Sequence, residues 1–203
     1  MSTDVLGALL VVAGYLSGSV PYGLVLARLF IGVDVRKVGS GNIGGTNVAR
    51  VNKKLGAATI VLDTLKAVVP LLVARRVLAG APHADLWVMG VAIAAFAGHV
   101  FPIWLGFRGG KGVATGFGIF LVLAPWAALA GVATWGGTYL ATRMSSLGSL
   151  LGTLVCVIWM LAFVGPTSPL TWSAIVVGAL IFVRHAENIR RILSGEERKR
   201  MRV

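Results

Sequence analysis

Six long apolar runs, at residues 5–31, 55–78, 86–105, 113–142, 147–164 and 170–183, dominate this chain. A soluble globule of 203 residues cannot hide so much apolar surface: 57% of the residues are apolar, 13% are charged and the mean hydropathy is +0.86. A disordered chain needs the opposite composition. The sequence therefore implies an all-α, polytopic integral membrane helix bundle. Residues 1–4 carry no positive charge that would mark a signal peptide, and the first run is longer than a signal core, so it reads as a retained span with Pro21 as a kink.

The run at 113–142 sets the number of spans. As one helix it would be about 45 Å long against a hydrocarbon core of about 30 Å. Ala124-Pro125 offers a break, which gives segments 113–123 and 126–142 and seven transmembrane segments in all. With the N-terminus outside, the loops at 33–54, 106–112 and 143–146 and the tail after 183 share the cytoplasmic side with the C-terminus. They hold 15 of the 19 Lys and Arg residues, as the positive-inside rule requires. Arg28, Lys66, Arg75 and Arg76 are the exceptions, and snorkelling is the simple explanation for them. Trp87, Trp126, Trp159 and Trp172 fall near the outer interface and Trp104 near the inner one. The expectation is one membrane domain over 1–203 in the cytoplasmic (inner) membrane, with its site on the cytoplasmic face.

The net charge of +12 sits in loops whose composition suits phosphate. Residues 34–50 concentrate Gly39, Gly41, Ser40, Asn42, Thr46, Asn47 and Arg50: glycines that let N–H groups converge on an anion, neutral donors, and a guanidinium that pairs two phosphate oxygens. Gly39 to Gly44 also fits the dinucleotide fingerprint, with Asp63 at a suitable distance. That reading fails because membrane helices, not a βαβ unit, flank the motif. A second segment, Gly109-Gly110-Lys111-Gly112, precedes a helical run and reads as an anion nest with a mobile cation. It is not a Walker A loop, since only three residues separate Gly106 from Gly110 and Gly112 stands where Ser or Thr is needed. A third cluster runs from Arg184 to Glu196, where helical spacing sets His185 and Arg184 beside Asn188. Asp63 and Lys66, three apart within a span, can neutralise each other. Ser145 to Ser149 open another segment, mainly as a helix cap. His99 reads as a packing residue as readily as a functional one. Cys156 is a lone cysteine in an apolar run, so neither a disulfide nor a redox or metal motif can be built on it.

Together the three clusters resemble the PlsY family of bacterial acyltransferases: Gly-Ser-Gly-Asn-x-Gly-x-Thr-Asn-x-x-Arg at 39–50, Gly-His-x-Phe-Pro at 98–102 with Gly-Gly-Lys-Gly-Val-Ala-Thr at 109–115, and Arg-His-x-x-Asn-Ile-x-Arg at 184–191. The resemblance covers essentially the whole chain. It implies transfer of a fatty acyl group from acyl phosphate to the sn-1 hydroxyl of glycerol 3-phosphate, giving lysophosphatidic acid and inorganic phosphate, the first step of phospholipid synthesis. It implies no cofactor and no metal, membrane lipid as surroundings, and neither nucleic acid nor an obligate protein partner.

On that resemblance the expected catalytic residues are Lys111, His185, Asn188, Ser40 and Arg50. The first three would hold the acyl phosphate. Gly39, Gly41, Asn42, Thr46 and Asn47 complete the site, and Gly109, Gly110, Gly112 and Ser149 help hold glycerol 3-phosphate. The proton of the attacking hydroxyl has two acceptors open to it, His185 or the phosphate of the donor; the substrate-assisted route is favoured because the surrounding cations oppose an extra proton on His185. A transporter of phosphorylated anions is the rival reading, weakened by the lack of a convincing internal repeat. A lipid-binding module would explain the basic tail but not the two glycine loops.

Overall fold

A computed structural model describes residues 2–197. Arg198, Lys199, Arg200 and Arg202, counted above in the basic tail, lie outside the described residues. Every regular element among the described residues is helical, so the dinucleotide fingerprint has no strand to follow. The chain divides into two compact units, Met1–Val122 and Leu123–Val203.

In the first unit, α1 (Thr3–Ser19) starts from Ser2, whose hydroxyl accepts the Val5 N–H at 3.3 Å. Pro21 does more than kink the run: the helix stops at Val20 and resumes as α2 (Tyr22–Ile31). A single 3-10 turn (Val35–Lys37) and the short α3 (Gly45–Val48) lead to α4 (Lys53–Val77), capped by Asn52, whose side chain accepts the Leu55 N–H at 3.1 Å. Then come α5 (Ala84–Val100), a second 3-10 turn (Ile103–Leu105) and α6 (Val113–Leu123). α1 lies along α5 and α4 touches both. Gly14 and Gly18 make this possible, since a Cβ on Gly18 would run into the Ala95 carbonyl. Faces that point away from this packing stay apolar: Leu9, Val12 and Leu16 on α1 and Val61, Val69 and Leu72 on α4 are exposed, as lipid contact demands.

Two of the stray cations have partners where snorkelling was expected. Arg28 pairs with Asp34 at 2.7 Å, and Arg75 Nη1 donates to the Val122 carbonyl at 2.6 Å, filling an orphan acceptor at the end of α6.

The second unit holds α7 (Pro125–Thr142), α8 (Ser145–Phe163), α9 (Pro169–Arg184) and α10 (Ala186–Leu193). The expected break is present, with Pro125 at the first position of α7. α7 and α8 cross at Gly131 and Gly152, where the buried Cys156 thiol donates to the Ala127 carbonyl at 3.2 Å. α9 and α10 meet at a 59° bend.

Among the described residues, four helical stretches are long and apolar enough to cross a membrane: Thr3–Ile31, Lys53–Val77, Ala84–Leu105 and Ser145–Phe163. The bent pair α9–α10 makes a fifth when taken as one span. α6, with 11 residues, extends only about 16 Å.

Candidate active site

The first loop is built around one side chain. Asn47 is 3% exposed, and its Oδ1 accepts the Ser40 N–H at 2.9 Å. Its Nδ2 donates to the carbonyls of Val35, Val38 and Asn42 at 2.9, 3.1 and 2.8 Å. This amide was expected to face phosphate; instead it organises the loop from behind. Asn42 Oδ1 accepts the Gly44 N–H at 3.0 Å and so forms the turn into α3. Gly39 has φ +56°, and a Cβ there would run into Asn47 Oδ1 and come within 3.0 Å of Arg50 Nη1. Arg50 thus lies across Gly39, and Ser40, Thr46 and Arg50 are exposed. At the start of the loop Asp34 accepts from Arg36 and Arg28 at 2.7 Å each. Those bonds, that of Arg36 foremost, hold its carboxyl well below the usual carboxylate range.

The second segment lies in the same unit. Leu105, on the turn that leads to it, packs against the small core of Leu24, Ala27, Val35, Ile43 and Val48 that underlies the first loop. The N–H groups of Gly109 and Gly110 do not converge on an anion as the nest reading expected: they donate to Val100 and His99 carbonyls at 3.0 and 3.1 Å, satisfying the open end of α5. Beyond these bonds the segment continues with Lys111, half-buried, then Gly112 and the first turn of α6. Under the loop, Lys66 Nζ lies 2.8 Å from Asp63 Oδ1, the ion pair that the spacing predicted. His99 joins it, with Nδ1 at 3.7 Å from the same oxygen.

In the second unit, His185 sits at the joint between α9 and α10 rather than within one continuous helix. Its ring is 3% exposed and Nδ1 lies 2.8 Å from the Ile181 carbonyl. Nδ1 therefore carries the proton, and Nε2 is an acceptor in the neutral ring. The serines at the start of α8 do not cap it: Met144 is the cap residue, without a side-chain bond. Ser149 Oγ instead donates to the Ser145 carbonyl at 2.9 Å.

Sequence reasoning missed Glu197, which is 5% exposed. It accepts from Asn188 Nδ2 at 2.6 Å, Ser146 Oγ at 2.7 Å and Arg191 Nε at 2.7 Å, tying α10 to the start of α8. An acidic pair, Glu196-Glu197, directly before the basic tail was the available signal. Burial works to raise this carboxyl, but the bonds from Arg191, Ser146 and Asn188 outweigh it and hold it below the ordinary range. A depressed folded value contributes stability that is complete above the unfolded value and lost as pH falls through the folded one. Glu197→Gln is therefore expected to lower the thermal unfolding midpoint at neutral pH, and the gap from the parent should close as pH drops below about 4.5. An unchanged gap at low pH would contradict this reading.

Comparison with known proteins agrees with these motifs. The profile of the family described as "Glycerol-3-phosphate acyltransferase" matches residues 8–195. A glycerol-3-phosphate acyltransferase of Anaeromyxobacter sp. (strain K) is 63% identical over 98% of this chain and 100% of its own length. Two crystal structures of PlsY, an integral membrane glycerol 3-phosphate acyltransferase, superpose on it. The glycerol 3-phosphate form has a TM-score of 0.88 at 39% identity, covering 95% of this chain and 94% of that one. The lysophosphatidic acid form has a TM-score of 0.86 at 38% identity with the same coverage. Phosphate-suited loops on apolar helices and a profile match across both units lead to one conclusion: this chain belongs to the glycerol-3-phosphate acyltransferase family.

Proposed function

We propose that this protein acylates glycerol 3-phosphate at its sn-1 hydroxyl, with acyl phosphate as the donor, giving lysophosphatidic acid and inorganic phosphate. One observation carries the reading: exposed Arg50 and half-buried Lys111 stand on two segments that the first unit anchors to one core, in a chain of this family. Both substrates bear phosphate and one bears an acyl tail, so a cationic, donor-rich surface beside apolar helices suits both.

In the reaction the hydroxyl oxygen attacks the acyl carbonyl carbon, the carbonyl-to-phosphate C–O bond breaks, and the hydroxyl proton passes to the departing phosphate. Lys111, Asn188 and His185 hold the acyl phosphate and offset charge on its leaving group. Ser40, Asn42, Thr46 and Arg50 complete the binding surface, with Gly39, Gly41 and Asn47 shaping it. The 109–112 segment and Ser149 hold glycerol 3-phosphate. The membrane placement follows from the charge pattern. Seven segments with the N-terminus outside put the 33–54 loop, the 106–112 loop and the tail on the cytoplasmic side of the inner membrane, in one enzyme domain without an obligate protein partner. The profile match over 8–195 supports treating both units as that domain.

The test is phosphate release from purified protein given palmitoyl phosphate, with and without glycerol 3-phosphate. Release that needs the acceptor and yields lysophosphatidic acid is expected; uptake of glycerol 3-phosphate into proteoliposomes with no turnover would overturn the enzyme reading. His185→Ala is expected to slow turnover by about tenfold. A loss of about 10²–10⁴-fold would instead make His185 the general base, a role that its acceptor Nε2 could fill.

A further inference from the structure

A buried polar cluster in the first unit is not accounted for by substrate contact. Asp63, Lys66 and His99 are 2%, 3% and 3% exposed, on helices whose other buried side chains are nearly all apolar or small. Charges in such a place are costly unless they do something. Lys66 Nζ bridges Asp63 Oδ1 at 2.8 Å and the Val20 carbonyl at 3.1 Å, at the break between α1 and α2. Asp63 Oδ1 in turn lies 3.7 Å from His99 Nδ1.

The other side of the His99 ring faces the phosphate segment. A Cβ on Gly110 would run into His99 Nε2, so the ring and the loop backbone are in direct contact. The His99 carbonyl also accepts the Gly110 N–H at 3.1 Å. One residue thus touches the loop through backbone and ring, while its Nδ1 faces the ion pair. α4 also reaches the helix that follows the loop: Thr64 Oγ1 lies 3.3 Å from the Ala114 carbonyl, and Gly118 packs against the Thr64 carbonyl.

We propose that Asp63, Lys66 and His99 are positioning residues for substrate phosphate: the ion pair orients the His99 ring, and the ring sets the backbone of residues 109–112, the segment assigned to glycerol 3-phosphate. The inference rests on the assignment of that segment to phosphate binding. A carboxylate 3.7 Å from Nδ1 favours the ring orientation that keeps this nitrogen toward the ion pair. The close contact at Gly110 leaves the loop no room to settle against a misplaced ring.

The test is steady-state kinetics on detergent-purified protein with palmitoyl phosphate and glycerol 3-phosphate varied separately. Removing one member of the ion pair alone risks misfolding, because it strands the other charge. The variant is therefore Asp63→Asn with Lys66→Gln, which deletes both charges at nearly constant volume. His99→Ala and His99→Gln accompany it, glutamine keeping a nitrogen near the Nε2 position.

The expected result for His99→Ala and for the double variant is a rise of about 10- to 100-fold in KM for glycerol 3-phosphate. The KM for palmitoyl phosphate and the unfolding midpoint should stay close to the parent's. His99→Gln should recover most of the loss, and adding His99→Ala to the double variant should cost little more, since all three act through one contact. Parent-like KM values in folded variants would overturn the proposal. So would a uniform loss of kcat, both KM values and unfolding midpoint that glutamine does not rescue. Lys111→Ala in the same assay separates the two levels: if it leaves turnover unchanged, the assignment of the segment itself fails, whereas a crippled Lys111→Ala beside normal His99 variants removes only the positioning role.

Discussion

Lys111→Ala is expected to lower the rate of acyl transfer by about 10²–10³-fold, the usual cost of removing one positioned charge from a transition state. Lys111 stands directly before Gly112 and α6, so under the proposed role its ammonium and the positive end of the helix would act on the same anion. As the C–O bond to phosphate breaks, negative charge grows on the leaving oxygens, and the interaction with Lys111 is stronger then than in the bound ground state. The loss should therefore appear mainly in kcat, with a smaller rise in KM. Lys111→Arg should restore only part of it. The planar guanidinium needs a different approach to the phosphate, and the backbone on the N-terminal side is held to Val100 and His99 by the Gly109 and Gly110 N–H groups. The measurement is phosphate release at saturating palmitoyl phosphate. A rate within about threefold of the parent, less than 1 kcal/mol of barrier, would remove Lys111 from the chemistry.

Much of the architecture was legible because membrane helices obey few rules. The apolar runs, a disturbance at Pro21 (expected as a kink, found as a stop) and the break at Ala124-Pro125 follow from backbone pairing in lipid and from proline's missing N–H. The Asp63–Lys66 pair followed from helical spacing. The number of spans was harder to read. α7 is 18 residues long, but glycine and threonine dilute its apolar character, and α6 is short; among the described residues, length and apolarity alone single out four or five spans, and the other expected segments fall below that mark.

Within the site, residue type was legible and direction was not. An asparagine in a glycine-rich loop looks the same in sequence whether its amide faces a phosphate or three carbonyls of its own chain. Asn47 does the second. The glycines at 109 and 110 read as anion donors, yet the chain turns back after α5 ends at Val100, and the last carbonyls of that helix take their N–H groups. Glu197 lies nine residues from Asn188, beyond any helical spacing. The turn at Gly195, with φ +72°, brings it back.

The inward use of Asn47 leads to the second large effect. Asn47→Asp is expected to abolish most activity although aspartate is nearly isosteric and no substrate contact is removed. Aspartate can still accept the Ser40 N–H, but an oxygen replaces the Nδ2 that donates to Val35, Val38 and Asn42. Three carbonyl oxygens would then face a carboxylate oxygen in a buried position, and each group left unsatisfied costs about 1–3 kcal/mol before repulsion is counted. The loop can escape that cost by opening, since α2 and α4 on either side are held by their own packing. Opening moves Ser40, Thr46 and Arg50 away from the substrate phosphate, and a displacement of even ~1 Å is enough for about a 10²-fold loss. Two readouts separate this from a direct binding role. Trypsin should cut at Arg36, Lys37 and Arg50 faster in Asn47→Asp than in the parent, while the helices remain folded by circular dichroism. Ser40→Ala, which removes an exposed hydroxyl but keeps the N–H that Asn47 holds, should leave the tryptic pattern unchanged. If Asn47→Asp loses activity with the parent's tryptic pattern, its carboxamide contacts substrate directly, and the loop owes its shape to something other than this side chain.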